Sequence, residues 1–419
     1  MKLVILAGGL GTRLGLADRP KPMAELAGKP LLEWQVLLAR RYGLRDVILL
    51  TGHLSEVIER HFGDGAAWGV NISYFQEESP LGTAGAFPRI RDRLGEGRFM
   101  VFYGDVVMDF DLSRFIAFDA EDGRSLGTLL VHPNNHPHDS DLLEIDFDNR
   151  VTAIHPKPRL EGRFFRNLVN AGAYILSPGI IDFLAPDKAA DWGREVFPRL
   201  VEAGSRLMAY QTPEYIRDMG TPERFASIEN DWREGRVAAR NLEKPQRAVF
   251  LDRDGVLNFD VDNLNRPDDL RLLPGAAEAV RLINHSGLLC LVVTNQPVLA
   301  KGRLDERGLA GIHAKLETLL GREGAYLDAI YHCPHHPEGG FPGERPELKR
   351  ACDCRKPKPG LILAAARDFN ISLAGCALIG DSERDIEAGR AAGIPRNILV
   401  AGNTGYALLN AARELLEAA

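Results

Sequence analysis

The sequence contains, at residues 248–256, the stretch A-V-F-L-D-R-D-G-V, an apolar run that ends in two carboxylates. The apolar residues predict a buried β-strand, and Asp252 and Asp254 follow its carboxyl end directly. Similar apolar runs precede Thr294 and Asp381, in L-L-C-L-V-V-T and A-L-I-G-D. Because open α/β sheets place their chemistry at the carboxyl ends of parallel strands, these runs predict an α/β fold with an acidic site at one sheet edge.

The same alternation of short apolar strands and helical patterns continues through all 419 residues. A chain of this length exceeds one ordinary core, so we expect more than one domain. A polar stretch near residues 234–247 precedes the new strand at Ala248 and indicates the boundary. The expected organisation is two Rossmann-like α/β domains in tandem, over residues 1–235 and 248–419, joined by a linker over 236–247.

The composition narrows the classes of function. Lys and Arg total 51 against 58 Asp and Glu, a net charge of −7, which argues against partners with an anionic backbone or surface, such as nucleic acids and membranes. The apolar start over residues 1–7 leads straight into glycines, unlike a signal peptide, and no stretch has the length of a membrane span. We therefore expect a cytoplasmic protein that binds small molecules, and the sequence leaves its oligomeric state open.

Residues 333–358 hold three of the five cysteines, in a Cys-x-His pair followed by a Cys-x-Cys pair. Three thiolates and one imidazole suit a closed tetrahedral zinc site, and the intervening loop is too rich in Pro, Gly and charge to form a core. The predicted zinc ligands are Cys333, His335, Cys352 and Cys354. His332 and His336 flank them and are the residues most easily confused with His335. The alternative interpretation is a solvated loop with incidental thiols.

The chain begins with another strand-and-loop stretch, K-L-V-I-L-A-G-G-L-G-T-R-L-G at residues 2–15, with K-P at 21–22. Glycines after a strand let backbone N–H groups approach a phosphate closely, and Arg13 and Lys21 would neutralise it. The stretch is not the dinucleotide fingerprint, because Leu14 occupies the third glycine position, and it lacks the G-K-[ST] of a Walker loop. Taken alone, it predicts a phosphate loop or a tight turn.

The whole first half resembles the sugar-1-phosphate nucleotidyltransferases. G-G-x-G-T-R-L with K-P-M downstream is similar to that family's signature, and P-L-G-T-A-G at residues 80–85 to its nucleobase segment in the form seen among guanylyltransferases. The matches continue to about Glu234, and one departure is H-P-K-P around Lys157, where relatives have Glu-Lys-Pro. The resemblance implies that GTP is bound, with Arg13 and Lys21 acting on its phosphates.

The resemblance also implies a set of site residues for the transferase. The implied nucleotide contacts are Gly8, Gly9, Gly11, Thr12, Arg13, Lys21, Gly82 and Thr83. The implied Mg²⁺ ligands are Asp105 and Asp218, and the implied sugar-phosphate and sugar contacts are Lys157, Asn170 and Gly172.

The second half resembles the haloacid-dehalogenase phosphatase superfamily, whose four motifs are matched by D-R-D-G, T-N-Q, R-K-P and L-I-G-D-S-E-R-D. The resemblance implies Asp252 as the nucleophile and Asp254 as the general acid and base, with Asp385 outside the direct metal ligands. The residues implied to hold phosphoryl oxygens are Thr294 and Lys356. The implied Mg²⁺ ligands are Asp252, the backbone carbonyl of Asp254, and Asp381; the implied substrate contacts are Asn295 and Arg355.

The order of the phosphatase motifs and the cysteine pairs resembles the D-glycero-D-manno-heptose-1,7-bisphosphate phosphatases, with histidinol-phosphate phosphatases as close relatives. This resemblance implies a structural zinc that holds Arg355 and Lys356 at the mouth of the site. Three positions depart from the usual pattern: Val256 replaces Thr, Asn263 replaces Tyr, and Pro297 lies in N-Q-P-V-L-A-K-G where N-Q-S-G-I-A-R-G is usual. Pro297 removes a backbone donor and a hydroxyl from the substrate loop.

The two resemblances together imply one pathway. The phosphatase half would remove the 7-phosphate of heptose 1,7-bisphosphate, and the transferase half would join heptose 1-phosphate to GMP from GTP, giving GDP-heptose and pyrophosphate. One alternative is a mannose-1-phosphate guanylyltransferase fused to a phosphatase of another small ester, such as histidinol phosphate. Another is a non-catalytic second half, against which the intact set Asp252, Asp254, Thr294, Lys356 and Asp381 argues.

Overall fold

The computed structural model describes residues 1–9, 18–159, 162–261 and 264–417. The strands of the first half are β1 (Leu3–Leu6), β2 (Glu25–Leu26), β3 (Lys29–Pro30), β4 (Asp46–Thr51), β5 (Asn71–Gln76), β6 (Phe99–Tyr103), β7 (Val106–Asp109), β8 (Gly127–His132), β9 (Leu142–Ile145), β10 (Val151–His155), β11 (Val169–Leu176), β12 (Leu207–Gln211) and β13 (Tyr215–Asp218). Its α-helices are α1 (Leu31–Arg41), α2 (Ser55–Phe62), α3 (Phe87–Leu94), α4 (Leu112–Asp122), α5 (Phe197–Glu202), α6 (Pro222–Arg233) and α7 (Arg236–Ala239).

The second half of the chain alternates strands and helices more regularly. Its strands are β14 (Ala248–Leu251), β15 (Leu289–Asn295), β16 (Ala329–Cys333), β17 (Ala377–Gly380) and β18 (Arg396–Leu399). Its helices are α8 (Ala276–His285), α9 (Glu306–Arg322), α10 (Gly360–Asp368), α11 (Glu383–Ala391) and α12 (Ala407–Glu417). The predicted α/β class is confirmed for both halves.

Contacts along the chain define two compact units. The first comprises Met1–His132, Leu143–Pro156 and Asn170–Asn241, and the second comprises Pro133–Leu142, Lys157–Val169 and Leu242–Ala419. The last division, after residue 241, falls inside the stretch predicted as a linker, part of which forms α7. Two short segments of the first half of the sequence group with the second unit. The limits at residues 235 and 248 stay a prediction.

The larger sheet has nine strands and is mixed. Strands β6, β1, β4 and β5 run parallel, as expected for strands connected by helices, whereas β11 runs antiparallel to β6. Leu3 and Ile5 of β1 lie in one buried core with Leu32 and Val36 of α1. Because β1 and β6 run parallel, the residues that follow them, Gly8 and Gly9 after β1 and Asp105 after β6, lie at the same edge of the sheet.

The smaller sheet has five parallel strands in the order β16-β15-β14-β17-β18. Its central strands are apolar up to the polar Thr294 and Asn295 that end β15, because helices cover both faces. Val249 and Leu251 of β14 share a core with α8, α9 and α12, whereas Ala248 and Phe250 point to the other face, toward α10 and α11. The loops after β14, β15 and β17 consequently meet at one edge.

Among the described residues, no helix is both long enough and apolar enough to cross a membrane.

Candidate functional sites

The strand ends of the five-stranded sheet bring together a buried lysine and two carboxylates. Lys356 Nζ lies 2.9 Å from Asp252 Oδ1 and 2.7 Å from Asp385 Oδ1, and it donates to the carbonyl of Val293 at 2.8 Å. Burial alone would lower the pKa of Lys356, but Asp252 and Asp385 outweigh it and raise that pKa. The ammonium is therefore a fixed positive charge beside the predicted nucleophile.

Three carboxylates converge at this edge: Asp252, Asp381 and Asp385 offer oxygens that all lie within 4.8 Å of one another. Burial raises the pKa of Asp252, and burial with the nearby charge of Asp252 raises the pKa of Asp381 to about 6. The cluster thus has more negative charge than Lys356 neutralises. Hard carboxylate oxygens in this arrangement fit a Mg²⁺ ion.

A glycine allows the backbone after Asp254 to lie close to the Asp381 carboxylate. Gly255 has a φ of +78°, and a Cβ atom there would lie 2.0 Å from Asp381 Oδ2. Any side chain would both strain the backbone and displace the carboxylate. The D-x-D-G order of the sequence is therefore a packing requirement of the cluster.

Asp254 has a different environment from the other carboxylates. Its oxygens accept hydrogen bonds from Arg253 Nη2 at 2.8 Å, from Gln296 Nε2 at 2.9 Å and from Asn258 Nδ2 at 2.9 Å. Burial acts to raise the pKa of Asp254, but the Arg253 charge and these hydrogen bonds reverse the effect and lower it. Arg253, Asn258 and Gln296 are site residues that were not predicted from the sequence, although Gln296 ends the T-N-Q motif and Arg253 lies between the two aspartates.

The end of β15 supports the same site. Thr294 is buried, and its Oγ1 accepts from Gln296 Nε2 at 2.9 Å, which leaves the hydroxyl hydrogen available for a phosphoryl oxygen. Asn295, predicted to contact substrate, uses its amide to hold the Lys356 peptide: Oδ1 accepts from the Lys356 N–H at 3.0 Å and Nδ2 donates to its carbonyl at 3.1 Å. Asn295 thus positions Lys356, and its contact with substrate stays a prediction.

The structure brings the four predicted zinc ligands together. Cys354 Sγ lies 3.2 Å from Cys333 Sγ and 3.3 Å from Cys352 Sγ, and His335 Nδ1 lies 3.4 Å from Cys354 Sγ. All five cysteines of the chain are free, and these sulfur separations exceed the S–S bond of about 2.05 Å. Tetrahedral ligands at about 2.3 Å from zinc are separated by somewhat under 4 Å. Three thiols and one imidazole in this geometry fit zinc.

The two flanking histidines lie apart from this cluster. His336 is partly exposed, and its Nδ1 accepts from the Glu338 N–H at 3.2 Å. His332 packs against His313, with 5.8 Å between ring centroids. Arg355, which follows Cys354 directly, donates from Nη1 to the carbonyl of His335 at 3.2 Å. Cys352 and Cys354 of the cluster thus share one short segment with Arg355 and Lys356 of the phosphatase site.

In the first unit, the two predicted Mg²⁺ ligands lie on neighbouring segments. Asp218 ends β13, which pairs antiparallel with β7 and places Asp218 opposite Val106, the residue after Asp105. Asp105 Oδ2 accepts from Lys21 Nζ at 2.6 Å, and Asp218 accepts from Arg224 Nη1 at 2.9 and 3.1 Å. The strand pairing thus brings the backbones of these two positions close together, and each carboxylate has a cationic partner.

Three of the predicted nucleotide contacts, Gly11, Thr12 and Arg13, lie outside the residues that the structure describes. The same is true of Asn263 in the phosphatase half. Gly8 and Gly9 follow β1, as predicted. Gly82 has a φ of +73°, and a Cβ there would lie 2.4 Å from the carbonyl oxygen of Ala190. Thr83 Oγ1 accepts from the Trp192 N–H at 2.8 Å.

The predicted sugar contacts are divided between the two units. Asn170 and Gly172 lie on β11, where Asn170 Oδ1 accepts from Tyr174 at 2.9 Å. Lys157 groups with the second unit, and its Nζ lies 2.8 Å from Asp139 Oδ1 of the same unit. The catalytic and substrate-binding roles of all these residues stay predictions.

Comparison with known proteins identifies both halves. The model of the nucleotidyl transferase family matches residues 2–235, and a HAD-hydrolase-like model matches residues 353–414. The chain belongs to the nucleotidyl transferase family, and its second half is a HAD-like phosphatase domain, so both predicted enzyme classes are confirmed.

Individual relatives match one half each. A mannose-1-phosphate guanylyltransferase from Mycobacterium tuberculosis is 35% identical over 60% of this chain and 70% of its own length. A D-glycero-beta-D-manno-heptose-1,7-bisphosphate 7-phosphatase from Vibrio cholerae is 39% identical over 36% of this chain and 80% of its own length. The crystal structure of a D,D-heptose 1,7-bisphosphate phosphatase from B. bronchiseptica, complexed with magnesium and phosphate, is 34% identical with a TM-score of 0.36, covering 42% of this chain and 99% of that one.

Proposed function

We propose that the protein is a bifunctional enzyme that removes the 7-phosphate of D-glycero-D-manno-heptose 1,7-bisphosphate and then transfers GMP from GTP to the heptose 1-phosphate. The observation that carries the proposal is the buried Lys356 beside Asp252, at the edge where Asp381 and Thr294 converge. The similarity of the second half to a heptose-bisphosphate phosphatase and of the first to a sugar-phosphate guanylyltransferase supports the choice of substrates. The product is a GDP-heptose, and a reducing cytoplasm, which keeps the thiols free, is part of the proposal.

The phosphatase step follows from the positions of the two aspartates. An Asp252 oxygen attacks the phosphorus, the bond between phosphorus and the sugar oxygen breaks, and the leaving oxygen takes a proton from the Asp254 carboxyl. Water then attacks the aspartyl-phosphate, gives a proton to Asp254 and releases inorganic phosphate and a free Asp252. Arg253 keeps Asp254 ionised in the resting site, and the negative phosphate of the substrate favours the protonated form needed for the first step.

Charge neutralisation comes from both protein and metal. Lys356 and the Thr294 hydroxyl, which are buried beside Asp252, are the proposed donors to the phosphoryl oxygens. A Mg²⁺ ion held by Asp252, Asp381 and the backbone carbonyl of Asp254 would reduce the repulsion between the nucleophile and the substrate.

The transferase step requires positioning and charge rather than covalent help. A phosphate oxygen of heptose 1-phosphate attacks the α-phosphorus of GTP, and the bond to the β-phosphate breaks as pyrophosphate leaves. Lys21 and Arg13 are the proposed cations for the triphosphate, Lys157 the proposed cation for the sugar phosphate, and Asp105 and Asp218 the proposed Mg²⁺ ligands.

One incubation tests the assignment of substrates. With Mg²⁺, GTP and heptose 1,7-bisphosphate, we expect inorganic phosphate, pyrophosphate and a product with the mass of GDP-heptose. Mannose 1-phosphate with GTP is the comparison, because one relative is named for that sugar. If GMP is transferred faster to mannose 1-phosphate than to heptose 1-phosphate, the transferase substrate is mannose 1-phosphate. If phosphate is released from histidinol phosphate and not from heptose 1,7-bisphosphate, the phosphatase substrate is histidinol phosphate.

We propose that Cys333, His335, Cys352 and Cys354 hold a structural zinc ion. Elemental analysis of the purified protein is expected to give about one zinc per chain, with no open position for water. Cys352→Ser or Cys354→Ser should release the zinc, because a hydroxyl is a poor substitute for a thiolate. Since Arg355 and Lys356 follow these ligands directly, phosphatase activity should fall and the loop should become sensitive to proteases, while transferase activity persists.

The neighbouring histidines provide the matched control. His335→Ala should lower the zinc content, whereas His336→Ala should retain it, because His336 lies outside the cluster. Zinc retained after replacement of both Cys352 and Cys354, or equal losses from the two histidine variants, would show that the ligands are chosen wrongly.

A further inference from the structure

Helix α9 of the phosphatase half has two faces with different partners. Its apolar face lies in the buried core of that half, through Ile312, Leu316 and Leu320. Its second face contacts two segments from the first half of the sequence that group with the second unit: an earlier segment, Pro133–Leu142, and a later segment, Lys157–Val169. The later segment begins with the lysine proposed to bind the sugar phosphate in GMP transfer. The second face of α9 therefore bears on the transferase.

A buried carboxylate is the central contact of this face. Glu317 is 3% exposed, and its Oε2 lies 2.5 Å from Arg166 Nε and accepts from the Asn167 N–H at 3.0 Å. The next residue, Thr318, binds one peptide twice: its Oγ1 accepts from the Phe165 N–H at 2.9 Å and donates to the Phe165 carbonyl at 3.1 Å. A carboxylate buried in this way is unfavourable without such partners. The two side chains thus fix three consecutive residues of the later segment.

The same face has a glycine where the earlier segment approaches. A Cβ atom at Gly321 would lie 2.5 Å from Cγ of Pro137, so the two atoms would overlap. Glycine lowers the stability of a helix relative to alanine, and the close approach of Pro137 accounts for its presence in α9. The two segments are also bound to each other, because Asn134 N donates to Asn167 Oδ1 at 3.2 Å and Asn167 Nδ2 donates to the Asn134 carbonyl at 2.7 Å. The helix therefore holds both segments together.

The earlier segment in turn holds Lys157. The Lys157 N–H donates to Asp141 Oδ1 at 3.0 Å, and Lys157 Nζ lies 2.8 Å from Asp139 Oδ1 and donates to the Asp139 carbonyl at 2.7 Å. Asp139 is exposed, and an exposed ion pair is weak, so a phosphate group can replace this carboxylate. The position of the ammonium consequently depends on both segments and, through Asn167, on Glu317.

We propose that Glu317 is a positioning residue for GMP transfer: from the phosphatase half, it fixes the segment that presents Lys157 to the phosphate of the attacking sugar. The proposal rests on the transferase function proposed above. It adds a residue outside the nucleotidyl transferase match, which ends at residue 235. The contacts of Glu317 lead to Lys157, whereas Lys21, the proposed cation for the triphosphate, pairs with Asp105 in the first unit. Glu317 should therefore affect binding of the sugar phosphate and not of GTP.

The test measures GMP transfer in the full-length protein, with GTP and heptose 1-phosphate varied in turn. Glu317→Gln keeps the size of the side chain but removes the charge that holds Arg166. It should raise KM for heptose 1-phosphate about tenfold, and leave KM for GTP and the rate of phosphate release unchanged. Glu323→Gln is the matched control, because Glu323 is exposed directly after α9, and all three values should equal those of the wild type.

A double variant shows whether Glu317 acts through Lys157. Lys157→Gln should itself raise KM for heptose 1-phosphate, and adding Glu317→Gln should have no further effect, because residues in one chain of contacts are not additive. Gly321→Ala, which favours the helix but displaces Pro137, should raise the same KM and serves as the second variant if Glu317→Gln does not fold. Fully additive effects in the double variant, or an unchanged KM in Glu317→Gln, would overturn the positioning role.

A second measurement separates this inference from the transferase assignment. If mannose 1-phosphate is the better acceptor of GMP, the same expectations apply to its KM. If neither sugar phosphate accepts GMP, the proposed transferase function fails, and hydrogen exchange decides the inference. The backbone amides of residues 162–169 should exchange faster in Glu317→Gln than in the wild type, and equal exchange would show that Glu317 does not fix this segment.

Discussion

Asp252→Asn is expected to reduce phosphate release from heptose 1,7-bisphosphate by at least about 10⁴-fold, the scale on which removal of a covalent nucleophile acts. This loss corresponds to about 5 kcal/mol of activation free energy. The amide cannot form the acyl phosphate. Of the neighbouring carboxylates, Asp254 is held by Arg253 and Gln296, Asp385 by Lys356 and Ser382, and Asp381 is a proposed Mg²⁺ ligand. Phosphate release under saturating substrate is the measurement.

Two comparisons make the Asp252 result specific. Transfer of GMP to supplied heptose 1-phosphate should be unchanged, because the predicted transferase residues Asp105 and Asp218 belong to the other unit. Asp268→Asn, at an exposed position of the phosphatase half, should leave both activities at the wild-type level. Phosphate release near the wild-type rate in Asp252→Asn would rule out the covalent mechanism.

The sequence was most informative where chemistry follows a buried strand. Asp252, Thr294 and Asp381 each come after an apolar run, and the carboxyl ends of neighbouring parallel strands meet at one edge. Their convergence could therefore be predicted without knowing the strand order. The cysteine and histidine spacing was equally informative, because a tetrahedral metal site restricts which side chains must approach one another. The structure brings the predicted set, including His335 rather than His336, into one cluster.

The sequence was less informative about which partners each polar group would choose. Gln296 lies 42 positions from Asp254 but donates to its carboxylate, and Asn295 uses its amide to hold a peptide 61 positions away. These contacts depend on how the loops after different strands pack, and no local spacing encodes that. In the transferase half, the contacts of Asp218 with Arg224 and of Asp105 with Lys21 likewise could not be predicted from local spacing.

Local sequence patterns also could not predict which of the two units each segment of the chain joins. Residues 133–142 and 157–169 lie in the first half of the sequence and end at the first residues of β9 and β11 of the nine-stranded sheet, yet they group with the second unit. Within that unit, Arg166 Nε lies 2.5 Å from Glu317 Oε2, and Phe165 N donates to Thr318 Oγ1 at 2.9 Å. A linear boundary drawn from composition cannot represent contacts over about 150 positions.

Asp105→Asn and Asp218→Asn are each expected to lower GMP transfer by about 10³-fold or more while phosphate release stays at the wild-type level. Each carboxylate is proposed to hold Mg²⁺ against the α-phosphate, a contribution of several kcal/mol to the transition state. The pairing of β7 with β13 places Asp218 opposite Val106, the residue after Asp105, which is compatible with two ligands of one ion. Pyrophosphate release from GTP and heptose 1-phosphate is the measurement, with Mg²⁺ varied.

The Mg²⁺ dependence distinguishes a ligand from a structural residue. If Asp105 and Asp218 are ligands, the variants should need more Mg²⁺ for half-maximal activity, whereas a residue that only supports the fold would change thermal stability without changing that requirement. Asp92→Asn, at an exposed position of α3 in the same half of the chain, is the matched control and should retain both activities. Loss of phosphatase activity in a folded Asp105 or Asp218 variant would contradict two independent sites, because the phosphatase residues Asp252, Asp254 and Lys356 all belong to the second unit.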